Sequence, residues 1–325
     1  MRNIAAGMQK KVWQIRPASR DAAKLAQSLN ISPLVAQILI NRQLDQTEPA
    51  RAFLSPKLSD LIAPEQMFGI SEAAACIRQA IESRKKISIY GDYDVDGITS
   101  VAILWHLLQM LGAQVDYYIP HRIDEGYGLN SDAVRRLAAG GTELLITVDC
   151  GITAVEPVRL AREMGIQTLI TDHHQPGAVL PDAAAIVHPR LDPAYGNPHS
   201  AGAMVAFKLA WAVANAYKKG VQLSAPLRQY LLNATTLAGI GTIADVVDLR
   251  GENRVLAGYG LKALEASNLV GIRTLVQTAE LYAADVNSYA VAFRLAPMLN
   301  AAGRMGHARL AVELLTTESE VRAVQ

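Results

Sequence analysis

Hydrophobic residues follow two different periods along the middle of the chain, from about residue 72 to residue 200. Short β-branched runs alternate with longer stretches in which apolar residues recur every three or four positions. The first pattern is typical of buried strands and the second of amphipathic helices. Strands are predicted over Ile87–Tyr90, Val115–Ile119, Leu144–Val148, Gln167–Ile170 and Ala184–Val187, and helices over Glu72–Arg84, Ser100–Leu111, Ser131–Ala139 and Ala154–Met164.

This alternation predicts an α/β fold with a mainly parallel sheet and flanking helices. Strands separated by helices of roughly ten to fifteen residues form right-handed crossovers, which leave the strands parallel. In such a sheet the loops after the strands meet at one edge. Functional side chains are therefore expected in those loops.

The pattern changes on both sides of this core. A small helical segment is predicted over residues 1–71, and the α/β core over residues 72–235. A helical extension is predicted over residues 236–325. Residues 319–325 still have a helical pattern, which indicates an element cut short. Further helices are predicted over Asp21–Leu29, Pro33–Arg42, Ala203–Lys218, Pro226–Ala238, Arg254–Ala266, Gly271–Gln277, Tyr289–Pro297 and Ala308–Thr316.

Composition and charge narrow the cellular setting more than the function. Half of the residues are apolar and 19% are charged, with a net charge of +1. A basic groove beside an acidic site would cancel in that sum, so the neutral total excludes little. Two cysteines without a CxxC pattern suit a reducing compartment, and no apolar run of about eighteen residues predicts a membrane span. We expect a soluble, cytoplasmic enzyme.

Three aspartates on alternate positions follow the first predicted strand. Asp92, Asp94 and Asp96 precede Gly97 and an apolar, helix-like run that starts near Thr99. Carboxylates crowded at the end of a strand repel one another unless a cation neutralises them, and oxygen ligands suit Mg²⁺ or Mn²⁺. The alternative is an exposed acidic turn before a helix, where acids also interact favourably with the helix dipole.

Two more strand ends carry candidate ligands. Asp149 follows the third strand, and Asp172, His173 and His174 follow the fourth. A lone acid or histidine pair would be weak support for a metal site. Three strand ends that present acids or imidazoles at the same edge of one sheet favour a metal centre.

A fourth contribution comes from the apolar stretch over residues 237–249. Asp245 and Asp248 lie within it, and an unpaired buried charge would cost ~3 kcal/mol or more. One of them is therefore expected to turn inward toward a metal or a histidine. The alternative is that both are exposed at a helix end.

These motifs, in this order, resemble the DHH phosphoesterase superfamily, named for the triplet Asp172-His173-His174, and within it the RecJ family of single-stranded-DNA exonucleases. The resemblance runs from about residue 30 to the end of the chain. The motifs that carry it are Gly91–Gly97, Val148–Gly151, Thr171–His174, Gly241–Val246 and Leu299–Met305.

The resemblance implies specific roles for these residues. Asp172 would orient the histidines, His174 would face the scissile phosphate, and Asp149 would bridge two metal ions. Relatives often carry a histidine where this chain has Tyr90, so one ligand position stays open to Asp92 or to water. Two Mn²⁺ or Mg²⁺ ions would be held by Asp94, Asp96, Asp149, His173 and Asp245.

Several residues outside the metal motifs are candidates for phosphate binding. Ser200 and Gly202 open a long predicted helix whose free N–H groups suit an anion, although an ordinary helix start explains them equally. Arg122 and Tyr127 follow the second strand and would grip a phosphate and stack a base, unless they form a plain surface loop. By resemblance, the substrate is also contacted by Asn300 and by Arg304, whose planar fork suits phosphate.

The resemblance implies a 5′→3′ exonuclease on single-stranded DNA, acting in repair and recombination by metal activation of water. A small-substrate DHH phosphohydrolase (nanoRNase, cyclic-dinucleotide phosphodiesterase or pyrophosphatase) is the alternative, but it should lack the helical region that ends in Asn300–Met305. A scaffold with a decayed site is disfavoured by the nearly complete ligand set. Family partners are a single-stranded-DNA-binding protein and a RecQ-type helicase. The family's C-terminal DHHA1 and oligonucleotide-binding domains are expected to be absent from this chain.

Overall fold

The computed structural model describes residues 14–122, 124–218, 222–264, 266–282, 285–304 and 307–325, with only the backbone described at Arg304. Its contacts group the chain into two compact units, residues 1–56 and 57–325. The described part of the first unit contains α1 (Ala22–Leu29), α2 (Pro33–Asn41) and α3 (Thr47–Leu54), which pack around a small apolar cluster.

The second unit is built on a five-stranded parallel sheet. Across the sheet, the strands lie in the order Gln114–Tyr118, Lys86–Gly91, Leu144–Val148, Gln167–Thr171 and Ala185–Val187. Because helices cover both faces, the central strand Leu144–Val148 is buried at every position rather than at alternate positions. The predicted α/β class is confirmed. The strands are β1 (Lys86–Gly91), β2 (Gln114–Tyr118), β3 (Leu144–Val148), β4 (Gln167–Thr171) and β5 (Ala185–Val187).

The two faces of the sheet carry different helices. Ile87 and Ile89 of β1 belong to the larger core cluster, whereas Tyr90 belongs to a smaller cluster on the opposite face. The larger cluster is completed by α4 (Ile70–Glu82), α5 (Val95–Met110) and α8 (Gly202–Ala216), and the smaller one by α6 (Ser131–Ala139) and α7 (Val155–Glu163).

The helical region that follows the sheet is also confirmed. One turn of π-helix, Val291–Leu295, joins two of its helices. No helix in the described part of the chain combines the length and the apolar character needed to cross a bilayer. The remaining helices are α9 (Ala225–Ala244), α10 (Gly251–Leu264), α11 (Val270–Thr278), α12 (Ser288–Ala290), α13 (Ala296–Arg304), α14 (Ala308–Thr316) and α15 (Glu320–Val324).

Two predicted helices were too short. α5 begins at Val95 rather than at Ser100, because the Asp94 side chain caps its first turn. α9 continues past Ala238 to Ala244 and includes Gly239 and Gly241. Those glycines are packing positions: a Cβ on Gly239 would lie 3.0 Å from the Cα of Gly260 in α10.

Residues 57–71 group with the sheet unit. Met67 and Ile70 are buried in its larger core cluster, and the N–H of Ile62 donates to Glu252 at 2.8 Å. The finer division of the chain expected at residues 71 and 235 stays a prediction.

Candidate metal centre

The register of the sheet brings three of the predicted motifs together. Gly91 at the end of β1 pairs with Val148 at the end of β3, and Val148 pairs with Thr171 at the end of β4. The next residues are Asp92, Asp149 and Asp172, so three acids leave adjacent strands at the same level. This is the edge where parallel sheets bind ligands.

Asp94 and Asp96 lie at the first turn of α5. The Asp94 carboxylate accepts the N–H of Gly97 at 3.0 Å, which makes it the N-cap. Asp96 is 2% exposed, and its two oxygens accept the N–H groups of Gly202 (2.6 Å) and Ala203 (2.8 Å) at the start of α8. The start of a second helix therefore fixes the Asp96 carboxylate.

This contact gives the start of α8 a different anion from the predicted phosphate. The N–H groups of Gly202 and Ala203 are occupied by Asp96, and the buried hydroxyl of Ser200 donates to the carbonyl of Asn197 at 2.9 Å. The N–H groups at the start of α8 do bind an anion, and that anion is a carboxylate of the chain itself. Ser200 and Gly202 position a carboxylate in this arrangement.

Asp149 combines full burial with a strained backbone. Its φ is +60°, in the left-handed region that non-glycine residues rarely adopt, and it is 1% exposed. Gly202 packs directly on it, since a Cβ at position 202 would lie 2.5 Å from Asp149 Oδ1. A Cβ on Gly241 of α9 would likewise lie 2.7 Å from Asp96 Oδ1. Two glycines thus let two helices approach the carboxylates.

The carboxylate of Asp172 organises its own loop. It accepts the backbone N–H groups of Ile152 (2.9 Å), His173 (2.7 Å) and His174 (3.1 Å), and it lies 2.8 Å from His174 Nδ1. Burial raises the pKa of Asp172, but these hydrogen bonds outweigh it and leave the pKa below its ordinary value. The hydrogen bond to Asp172 in turn raises the pKa of His174.

His173 lies among three acids. Its Nε2 is 3.0 Å from Asp149 Oδ1 and 3.7 Å from Asp96 Oδ2, and its Nδ1 is 3.9 Å from Asp245 Oδ2. Burial lowers the pKa of His173, which favours the neutral imidazole that metals bind. Asp248, by contrast, is exposed and pairs with Arg250 at 3.1 Å, so Asp245 is the acid of the fourth motif that turns inward.

Burial and mutual repulsion perturb the carboxylates of this cluster. They raise the pKa of Asp92 and of Asp96 to about 7 and that of Asp245 to about 6, and they place the pKa of Asp149 well above its ordinary value. Asp94 and Asp96 are the main neighbouring charges. A bound cation would relieve both the burial cost and the repulsion.

Three buried atoms in the cluster lack a hydrogen-bond partner among the described residues: Asp92 Oδ1, Asp149 Oδ1 and His173 Nε2. The last two are close together, but their geometry is not that of a hydrogen bond. Orphaned buried atoms of this kind fit a metal ion. Oxygen-rich sets with one imidazole suit Mn²⁺ or Mg²⁺. Ligand atoms within 4.8 Å of one another come from Asp92, Asp94 and Asp149, from Asp96, His173 and Asp245, and from Asp149, His173 and His174.

These groups bear on the ligand position that the sequence left open. Asp92 is 3% exposed and belongs to one of the candidate sets. The Tyr90 hydroxyl instead donates to the carbonyl of Gly128 at 2.8 Å, and its ring stacks on Tyr118 at 5.5 Å. Asp92 therefore fits the open position better than Tyr90. Asp149 and His173 each belong to two of the three sets.

The predicted substrate-binding residues surround this cluster unevenly. The Tyr127 hydroxyl lies 3.1 Å from His174 Nδ1 and 3.4 Å from the carbonyl of Asp149, whereas the Arg122 guanidinium stacks over the Tyr93 ring at 5.1 Å. A cavity of about 310 Å³ opens beside His174, between the loop of Tyr127 and the start of α7.

The end of α13 lies against the first-motif loop, because a Cβ on Gly303 would be 2.6 Å from the carbonyl of Tyr93. Asn300, three residues before Gly303 in α13, is half-buried. The predicted Arg304 side chain and Met305 lie outside the described residues. The helix of the fifth motif is therefore next to the site, and its phosphate contact stays a prediction.

Sequence reasoning missed His188, which follows β5 and is fully buried. Its Nε2 donates to the carbonyl of His174 at 2.8 Å, and its Nδ1 accepts the N–H of Arg190 at 3.1 Å. Its position at the end of a fifth strand was the available signal, since each neighbouring strand ends in a site residue.

Comparisons with known proteins agree with this geometry. Residues 86–238 match the DHH family, N-terminal domain, so this part of the chain belongs to that family. Within that family it is similar to RecJ: it is 45% identical to the single-stranded-DNA-specific exonuclease RecJ of Bacillus subtilis over 313 residues, which cover 96% of this chain and 38% of that protein. The family expected from the motifs is confirmed.

Solved structures give the same assignment. Crystal structures of RecJ from Thermus thermophilus in complex with Mn²⁺ and with Mg²⁺ match with TM-scores of 0.79 and 0.69, at 35% and 32% identity. Each match covers 94% of this chain, and 42% and 39% of the respective RecJ chains. The chain thus spans about two fifths of the length of these relatives.

Proposed function

We propose that this chain carries the catalytic centre of a phosphodiesterase that uses two Mn²⁺ or Mg²⁺ ions to degrade single-stranded DNA from its 5′ end. The observation that carries the proposal is the cluster of buried, unpartnered ligand atoms where three parallel strands end. Hydrolysis of a phosphodiester needs no covalent nucleophile in such a centre. When bound, the two ions would supply a hydroxide near neutral pH and stabilise charge on the phosphate oxygens.

The residues of the chain divide this work. Asp149 belongs to two of the three candidate ligand sets, and Asp96 is held in place by the start of α8. Asp172 keeps a proton on His174 Nδ1 and raises the pKa of His174. We propose that the half-exposed His174 ring faces the scissile phosphate and that its Nε2 donates to one of the phosphate oxygens.

The cavity beside His174 gives the substrate a place next to the cluster. Its walls combine the Tyr127 ring, Leu129 and Ile152 with glycine backbone, and the described residues that line it include neither arginine nor lysine. A nucleoside suits such walls better than a second phosphate does. We propose that the nucleoside next to the scissile phosphate occupies it, and that Arg122, Asn300 and Arg304 contact the DNA backbone.

The similarity to proteins named as single-stranded-DNA-specific exonucleases supports single-stranded DNA as the substrate. We propose a 5′→3′ direction, a role in repair and recombination, and cooperation with a single-stranded-DNA-binding protein and a RecQ-type helicase. The proposed cytoplasmic location agrees with the free thiols of Cys76 and Cys150.

A test uses single strands labelled at the 5′ or the 3′ end, incubated with Mn²⁺ or with EDTA. We expect Mn²⁺-dependent release of the 5′ label as mononucleotide, and none with EDTA. Release from the 3′ end only would refute the polarity. Hydrolysis of pyrophosphate, cyclic dinucleotides or very short RNA, with no cleavage of DNA, would instead support a small-substrate phosphohydrolase.

A further inference from the structure

We propose that Asn253 is a positioning residue for the metal centre, which it reaches through two loops rather than by contact. This inference rests on the proposed metal site. Asn253 lies in the first turn of α10 and is 1% exposed, so its polar atoms have no access to water. A buried amide is costly unless its donors and its acceptor are all used.

Every hydrogen-bonding group of the Asn253 side chain is used to join two loops. Its Nδ2 donates to the carbonyl of His199 at 2.8 Å and to the carbonyl of Asp248 at 3.0 Å. Its Oδ1 accepts a hydrogen bond from Asn197 Nδ2 at 2.9 Å. One side chain thus ties the loop before α8 to the loop after α9.

The first of these loops leads to Asp96. The Ser200 hydroxyl donates to the carbonyl of Asn197, and two residues later the N–H groups of Gly202 and Ala203 hold the Asp96 carboxylate. A shift of the loop would therefore carry the Asp96 oxygens with it.

The second loop leads back to Asp245. Asp248 comes three residues after Asp245, and Val246 between them turns sharply with a φ of +61°. Asp245 and Asp96 belong to the same candidate ligand set, together with His173. By joining the two loops, Asn253 fixes the separation of two acids that must converge on one ion.

The first turn of α10 is a firm base for this bridge. The neighbouring residue, Glu252, is 2% exposed and forms a buried ion pair with Lys208. Glu252 also accepts the Tyr195 hydroxyl at 2.7 Å and the N–H of Ile62 at 2.8 Å. These bonds hold the turn independently of Asn253, so replacing Asn253 should release the loops without releasing the helix.

The test compares Asn253→Ala with Ser88→Ala. Ser88 is also fully buried, and its hydroxyl contacts Asp116 and Thr142, but it lies in the amino-terminal half of β1, away from the site. Both variants should lower the thermal midpoint. Only Asn253→Ala should weaken Mn²⁺ binding measured by calorimetry, by about tenfold or more, as loss of supporting interactions around a metal commonly does.

Electron paramagnetic resonance of Mn²⁺ gives a second readout that a stability loss alone would not change. The wild type should show the broadened signal of two coupled ions, and Asn253→Ala should show the six-line signal of isolated ions. If Asn253→Ala does not fold, Asn197→Ala removes one of the same bonds and should change both readouts in the same direction.

Unchanged Mn²⁺ affinity and coupling in the folded variant would overturn the inference, as would equal losses in Ser88→Ala. In either case the proposed function would stand. A wild type that binds no Mn²⁺ would instead refute the proposed function, and the positioning role with it.

Discussion

Replacing Gly202 by alanine should disable the site through a single methyl group. The new Cβ would lie 2.5 Å from Asp149 Oδ1 and 2.7 Å from Asp149 Cβ, well inside van der Waals contact. Neither partner can move freely. The Gly202 backbone is bound to Asp96, and Asp149 is held between strands by a hydrogen bond from its N–H to the carbonyl of Thr171 at 3.0 Å.

The cost can be bounded from this geometry. Overpacking of a buried position typically costs about 1–3 kcal/mol of stability, which a domain of this size tolerates. A displacement of a catalytic group by about 1 Å can lower the rate about 100-fold. Gly202→Ala should therefore remain folded while its kcat for single-stranded DNA with Mn²⁺ falls by about two orders of magnitude.

Gly177→Ala is the matched control. The nearest atom to a Cβ at this position is the carbonyl oxygen of Val179 at 3.6 Å, which is an ordinary van der Waals contact. Gly177 nevertheless lies in the same loop between β4 and β5 as His174. Steady-state cleavage of a labelled single strand, together with thermal unfolding, compares the two variants. Full activity of Gly202→Ala would refute the packing of α8 on Asp149.

Three further predictions test other parts of the site. Asp172→Asn keeps the shape but removes the charge beside His174, so kcat should fall about 10–100-fold with little change in Mn²⁺ affinity; a large loss of affinity would make Asp172 a ligand instead. Tyr127→Phe keeps the cavity wall and removes the hydroxyl near His174, so kcat should change less than in Asp172→Asn, and an equal loss would give the hydroxyl a direct role. The pKa values of Asp92, Asp96 and Asp245 are about 6 to 7 in the folded chain, above the value of about 4 expected for an unfolded aspartate. The metal-free fold is therefore more stable below about pH 4, and this stability is lost as the pH rises through 6 to 7. The rise in thermal midpoint on adding Mn²⁺ should therefore be larger at pH 8 than at pH 5, and a smaller rise at pH 8 would contradict the ligand set.

Much of the site could be predicted because its ligands follow a local rule. Asp92, Asp149 and Asp172 each come directly after a strand, and the carboxyl ends of parallel strands meet at one edge. Short β-branched runs mark the strands, so both the sheet and this edge could be predicted from the sequence. An inward-turning acid in the apolar stretch over residues 237–249 was also predictable, because a buried acid needs a partner, but the residues alone left Asp245 and Asp248 both open.

The remaining features depend on contacts between distant parts of the chain. The start of α8 was a sound anion site, but the sequence does not say that Asp96, more than a hundred residues earlier, occupies it. The sequence likewise does not show that Gly241 is the position where α9 passes Asp96. Asn253 and His188 show no motif, because each acts on backbone carbonyls whose positions only the folded chain defines.

Mn²⁺ titration of the wild type and of Asp149→Asn by calorimetry tests the central claim most directly. Asparagine matches the shape of aspartate and tolerates the left-handed backbone at this position, so the fold should persist while the charge shared by two ligand sets is lost. We predict that the wild type binds two Mn²⁺ ions per chain and that the folded variant loses at least one of them together with its nuclease activity. Two ions bound with unchanged affinity in Asp149→Asn would contradict a metal centre built around Asp149.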